Sequence, residues 1–560
     1  MNILIDKRHM GILRYYYIVL IACPLILQAS WASGEPGGKI KVDPQSLPIC
    51  TIEETDGEDP EDENSNKYAI FEPEKIKEYK AKGQFTVVVV EPPQPHAGYE
   101  LDEEKKYEWT VTEKLEVKNG DQDTCTVHSS NKEQWGKVIT VKCKMSFYET
   151  KNGQKKHLTD LEAAHKLLTP SLLIHQISFN HVQGKHDKDA MDLLKTYKGK
   201  IIDVPEATFD KNGKATKSEP FLYIGGKKPD LKIKAEVKPG IIKKAKIKTK
   251  DEGKVPKNFL PELDEQEFDN NTEFEISFKD NIDSKLNKGN QQWTWRLTEI
   301  QGTALTNETI VFETTVRNGY VLFKEPLKSP WDMNDNKKKP WIKALDVAIE
   351  DSGNIGFDQN SSILIIGNIT KYTFNQMGWE YDVVNGAPKY FEATPISISI
   401  NLDSYLEQSN GKIVNCYDQA FSLSSLIRLL GIDAKCNYQE QFGRIHTVDL
   451  VGKGLCNNPF YENPKYSNYL SLRQPIVSNK DPLYDIRSGF FNHMYVKSNI
   501  NISLGFNVIV NVECICDSCA GPVIGENPDS YRNNTIQSLY RDNNGIIIPT
   551  KIMSIIPELK

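Results

Sequence analysis

One cysteine heads the stretch GKIVNCYDQAFSLSSLIRLLGID, residues 411–433. From Cys416 to Leu430 there is no proline or glycine, and Ala420, Leu423, Ile427 and Leu430 recur at helical spacing. Asn415 is an N-cap residue type and Gly431 a natural stop, so the pattern predicts a helix with Cys416 in its first turn. Free amides and the helix dipole favour a thiolate there, and the same amides can hold an oxyanion. A lone cysteine at a helix start also serves as a plain structural residue. A nucleophile needs a base, and the base needs an orienting group. FFNHMYVKS (490–498) alternates as a strand, with Phe491, His493 and Tyr495 on one side. FNVIVNVECICDSCAGP (506–522) reads as a further strand that ends around Asp517. Helix cysteine, strand histidine and next-strand aspartate make a Cys416-His493-Asp517 relay: imidazole takes the thiol proton and carboxylate fixes the tautomer. His446 is a rival base; His493 is preferred because Asp517 follows on the next strand. Taken singly, His493 reads as a strand histidine and Asp517 as a turn-former.

Order and local wording add a resemblance. Through VNCYDQAFSLSSLIRLLGIDAKC, NHMYVK and CDSCAGPVIG, the region 340–540 resembles the transglutaminase-like superfamily. The resemblance implies a papain-like α+β core, a thioester on Cys416, and release to an amine (transamidation) or to water (deamidation or proteolysis). Two departures stand out. Met494 and Tyr495 follow His493, where the family often has a small residue and Trp. The gap between Cys416 and His493 is also longer than in compact members and holds FGRIHTVDLVGKGLCNNPFYENP.

The rest of the chain must carry and place that core. Its 560 residues allow three to four domains, and a formal charge of −7 argues against nucleic acid as partner. Residues 1–33 read as a signal peptide: Lys7, Arg8 and Arg14, then YYYIVLIACPLIL, then Ser30 and Ala32 at a cleavage site. Pro24 and the shortness of the apolar run argue against a retained anchor, and no later stretch is apolar enough to span a bilayer. The expectation is a secreted or cell-surface protein without a stable membrane span after cleavage. Residues 34–66, rich in Asp and Glu, read as a disordered linker. Residues 67–165 and 166–335 break into short Val-, Thr- and aromatic-rich runs and read as two β-sandwiches of Ig-like type. The second has a short helix in DKDAMDLLKTYKG as lead-in and lysines alternating in 221–250, taken as guards of sheet edges. Residues 336–560 form the core, opening with a helix in WIKALDVAIEDSG, while ILIIGNITKYTF fits helix or strand.

Ten cysteines become nine once Cys23 leaves with the signal. Setting Cys416 aside leaves an even number, so disulfides are expected: Cys125 with Cys143 across neighbouring strands, and others among Cys436, Cys456, Cys514, Cys516 and Cys519 bracing the site. No quartet has firm zinc spacing and no EF-hand loop is present, so neither a metal nor a cofactor is expected. Asn270, Asn307, Asn360, Asn368, Asn501 and Asn533 each open an N-x-S/T pattern. The expected partner is a protein or peptide substrate. The competing class is a surface adhesin whose sandwiches bind and whose core is catalytically inert.

Overall fold

The computed structural model describes residues 38–44, 49–51, 67–75, 80–112, 115–129, 132–180, 190–250, 260–350, 355–356, 361–382, 386–395, 397–445, 451–452, 473–475, 486–503, 509–520, 523–526, 536–537 and 552–560. The signal segment, His446 and Cys456 lie outside them. The chain is mostly β, and among the described residues its α-helices fall between 342 and 429.

In the first unit, β1 (Lys39–Pro44), β2 (Ala81–Glu91) and β3 (Thr124–Ser129) pair antiparallel in one sheet. Opposite lies a long hairpin of β4 (Lys137–Lys151) and β5 (Gln154–Thr169). Asn152 (φ 53°) and Gly153 (φ 74°) make its turn, the left-handed pair that matches strand twist. Along β4, Ile139, Val141, Cys143, Met145 and Phe147 are buried at every second position, so one face enters the core.

Three expectations are corrected in this unit. Residues 39–44 are not linker but strand, because Ile40 and Val42 alternate into the core ahead of the acidic run. The unit also continues past 165, since β5 runs to Thr169 and ends at Pro170, which has no amide to donate. Cys125 and Cys143 sit on β3 and β4, which belong to facing sheets and are not neighbours, and both are free thiols. Burial pushes each of them up to about 12.

In the second unit, β6 (Ser171–Ser178) pairs with β7 (Asp230–Lys238) in a five-stranded sheet. A seven-stranded sheet holds β8 (Lys244–Lys250), β9 (Lys285–Ile300) and β10 (Val311–Leu322). Phe179 stacks on Phe221 at 3.8 Å in the shared core, beside Trp293 and Trp295. The lysine-rich strands β7 and β8 are interior to their sheets, so their lysines guard no edge. A neighbouring strand and a loop answer them with glutamates, as in Lys246–Glu299 at 2.7 Å and Lys248–Glu308 at 2.8 Å. Asn270 is a structural amide: its Nδ2 donates to the carbonyls of Val237 and Ile242, both at 2.7 Å, which a glycan there would break.

The expected short helix is absent from the described part of its segment, 190–199. Met191, Asp192, Leu193 and Leu194 are all buried, so consecutive side chains find cover on both sides of an extended chain. Asp192 accepts from Lys339 Nζ at 2.5 Å and from Asn180 Nδ2 at 2.7 Å. With the lysine side chain 2% exposed and the carboxylate 0%, removing one partner strands the other. Lys339→Ala is therefore expected to cost about 3–5 kcal/mol, read from the urea midpoint of the purified chain.

One apolar cluster continues from Leu222, Tyr320 and Leu322 of the second unit into the C-terminal unit through Trp341, Leu345, Leu426 and Val496. That unit contains α1 (Ile342–Ile349), α2 (Ser361–Lys371), α3 (Leu402–Glu407) and α4 (Cys416–Leu429). The ambiguous run 363–374 is thus helical, continuing from α2 into a wider turn over Tyr372–Gln376. Beside the helices, β11 (Ala434–Ile445), β12 (Ile486–Ser503), β13 (Ile509–Asp517) and β14 (Val523–Glu526) pair antiparallel in chain order. Every residue of α4 except Tyr417 is buried. The Ala420–Leu430 stripe is therefore only one of several covered faces. Two of the helix's buried polar residues find tertiary partners: Ser424 donates to Ala434 O at 3.0 Å, and the Arg428 guanidinium reaches Ser329 O at 2.5 Å and Asp433 at 2.6 Å.

Candidate active site

The head of α4 is fixed by reciprocal capping. Asn415 Oδ1 accepts from the amides of Tyr417 (2.9 Å) and Asp418 (3.1 Å), and Asp418 Oδ2 accepts from Asn415 N at 3.1 Å. The Asp418 carboxylate also takes the amides of Lys389 (2.9 Å), Tyr390 (2.8 Å) and Phe391 (2.8 Å). Burial nonetheless leaves Asp418 with a raised pKa, against the pull of those amides. It thereby ties the 389–391 segment to the turn that carries Cys416. The reading of the sequence passed over Asp418, although Asn-x-x-Asp ahead of an apolar run is a capping-box signal.

The structure brings Cys416, His493 and Asp517 together. Cys416 is a free thiol. His493, on β12, is fully buried. Its Nε2 lies 2.7 Å from Asp517 Oδ2, and its ring also interacts with the Cys416 side chain. With Nε2 committed to the carboxylate, Nδ1 is the nitrogen left for the sulfur. The placement follows from register. Val496 pairs with Cys516 across β12 and β13, which makes His493 and Asp517 diagonal neighbours on one face.

Asp517 is turn-former and ring partner at once, using separate oxygens. Oδ2 faces His493, while Oδ1 accepts from the amides of Cys519 (2.8 Å) and Ala520 (3.0 Å). Burial alone would lower the His493 pKa; the charge and hydrogen bond of Asp517, with a smaller contribution from Cys416, outweigh it and hold it up to about 10.

Two side-chain bonds register the other partners against α4. Tyr417 Oη, next to the cysteine, donates to Asn492 Oδ1, next to the histidine, at 2.8 Å. Gln419 Oε1 accepts from Ser518 Oγ, next to the aspartate, at 3.1 Å, and from Tyr405 Oη at 3.1 Å. Trp379 stacks on Tyr405 at 4.3 Å beneath them. Tyr381, Tyr417 and Tyr438 lie within electrostatic reach of the sulfur, and Cys416 is only 3% exposed.

The disulfides expected to brace the site are absent among the described residues: Cys436, Cys514, Cys516 and Cys519 are all free. Cys436 lies under α4 with its Sγ 3.3 Å from Ala420 O, and burial pushes its thiol well up. Cys514 and Cys516 alternate along one strand, each beside the other's thiol, and Cys519 belongs to the Asp517 turn. Each is thus placed by the sheet and not by a covalent bridge. Among the described residues, no three His, Cys, Asp or Glu side chains converge on a metal position.

No protein-family profile and no curated protein matches the chain. Solved structures give remote likenesses. Red sea bream transglutaminase is similar at 10% identity over 55% of this chain and 52% of its own, with a TM-score of 0.27. An endo-fucoidan hydrolase of glycoside hydrolase family 107 is similar at 9% identity over 45% of this chain and 32% of its own, with a TM-score of 0.13. The aligned region spans about half the length of the transglutaminase. At these scores neither likeness bears on the chemistry, which rests on the side chains themselves.

Proposed function

We propose that the chain is an exported transglutaminase-like cysteine enzyme, with two Ig-like sandwiches carrying a papain-like core. Cys416 attacks a carboxamide or peptide carbonyl of a protein or peptide substrate, at the cell surface or in the surrounding medium. The thiol proton passes to His493, and the C–N bond breaks as the imidazolium gives that proton to the departing amine. The resulting thioester is released to a second amine or to water. Asp517 keeps the ring oriented and its charge compensated. At the head of α4 the amides of Tyr417 and Asp418 are taken by the Asn415 cap, so the Cys416 N–H is the first-turn donor for a developing oxyanion.

The supporting observation is the 2.7 Å bond between His493 and Asp517 beside an unbridged sulfur at a helix start. The test is mass-spectrometric mapping after brief iodoacetamide treatment at neutral pH without reductant. Cys416 should be modified ahead of Cys125 and Cys143, whose thiols are pushed up to about 12. A Cys416 found bridged, or no more reactive than those two, favours the inert-scaffold adhesin. The ratio of amine incorporation to ammonia release then separates transamidation from hydrolysis.

A further inference from the structure

Away from the site, a cleft of about 440 Å³ opens at the junction of the two β units. That volume falls in the range of small-molecule sites. Trp135, Ile310 and Phe312 contribute apolar lining, and Lys132, Lys211 and Lys238 line the same cleft with one carboxylate, Glu133.

Both walls are set by the backbone. Gly136 has φ +83°, and a Cβ there would lie 2.8 Å from Ser171 Oγ and 3.1 Å from Lys238 Cβ. Only glycine lets the first unit's loop come this close to Lys238. Gly213 has φ +81°, and a Cβ there would lie 2.2 Å from Glu313 O. That approach tucks the turn bearing Lys211 against β10, which leads back to Phe312.

One flank is stapled across the units. The Glu72 carboxylate accepts from the amides of Thr306 (2.9 Å) and Asn307 (3.1 Å), and Thr309 Oγ1 donates to Pro73 O at 2.7 Å. The cleft is therefore preformed between fixed walls. Close by, Lys238 meets Glu236 at 4.0 Å, a carboxylate that also meets His175 at 2.9 Å, and Lys211 acts on the Asp210 carboxylate.

We propose that this cleft is a binding site for a flat organic anion, an aromatic carboxylate or sulfonate. Its ring lies on the apolar lining of Trp135 and Phe312, and its charge meets Lys211 and Lys238. An apolar lining alone would take neutral rings equally well; the excess of ammonium groups in the cleft selects the anion.

The test is fluorescence titration of the full chain with anilinonaphthalene sulfonate and with the neutral probe phenyl-naphthylamine. The expected result is saturable binding of one equivalent of the sulfonate, with the neutral probe at least tenfold weaker. Lys211→Glu with Lys238→Glu should weaken the sulfonate at least tenfold, while Lys238→Arg keeps it. Equal affinity for the neutral probe, uptake of many equivalents, or a charge-reversed variant that binds like the parent would overturn the assignment. None of these outcomes depends on Cys416, so the cleft and the triad stand or fall separately.

Discussion

Cys416→Ala is expected to abolish the proposed acyl transfer: amine incorporation and ammonia release together should fall by roughly 10⁴-fold or more in kcat/KM. The size follows from the role. In the proposed mechanism the sulfur is the atom that bonds to the substrate carbonyl, and Ser518 and Cys519 are held elsewhere, Ser518 on Gln419 and Cys519 in the turn capped by Asp517. The substitution removes one small side chain from a helix held at its head by Asn415 and Asp418, so far-ultraviolet dichroism stays at the parent spectrum. A variant that keeps even a tenth of the parent rate would show that another group is the nucleophile.

The second large effect is Asp517→Asn, expected to lower kcat by about 10⁴-fold. An asparagine keeps an oxygen for the amides of Cys519 and Ala520, so the turn survives while the charge is lost. The pH dependence follows from the sign of the His493 shift. Its pKa is raised from 6.5 to about 10, so the stabilisation of the imidazolium in the fold is complete below pH 6.5 and is lost as pH rises through about 10. The alkaline limb of the activity profile belongs in the same place, where the ring no longer holds a proton for the departing amine. Without the carboxylate, burial acts on the ring almost unopposed and pulls its pKa down. The limb should then move several pH units toward acid. An unchanged limb in the variant would remove Asp517 from the mechanism.

Local signals in the sequence were the dependable ones. Asn415, the apolar stripe and Gly431 marked α4 because caps and periodicity depend on a few adjacent residues. The alternation around His493 marked β12 for the same reason. What the sequence hid was tertiary. Nothing local to Arg428 or Ser424 announces that α4 is covered on every side, because their partners come from Lys328, Ser329 and Ala434. Met191 and Leu193–Leu194 had the composition of a helix, yet contacts with Tyr223 and Trp341 keep them extended. Cys125 and Cys143 were assigned to adjacent strands when they belong to opposite sheets, since strand order is invisible before pairing is known. Asp418 carried a readable capping signal, but its hold on residues 389–391 was not readable.

Burial of the sulfur turns access into a selection step. A thiol only 3% exposed reacts only in the fraction of molecules where its cover has opened. If that fraction is about one in a hundred, apparent affinity for any substrate drops about a hundredfold. A long polypeptide can recover the loss through contacts made elsewhere along its length, whereas a small reagent, iodoacetamide included, is slowed by the same factor. On the proposed reading, such shielding would spare Cys416 from small reagents while leaving it open to an extended acyl donor.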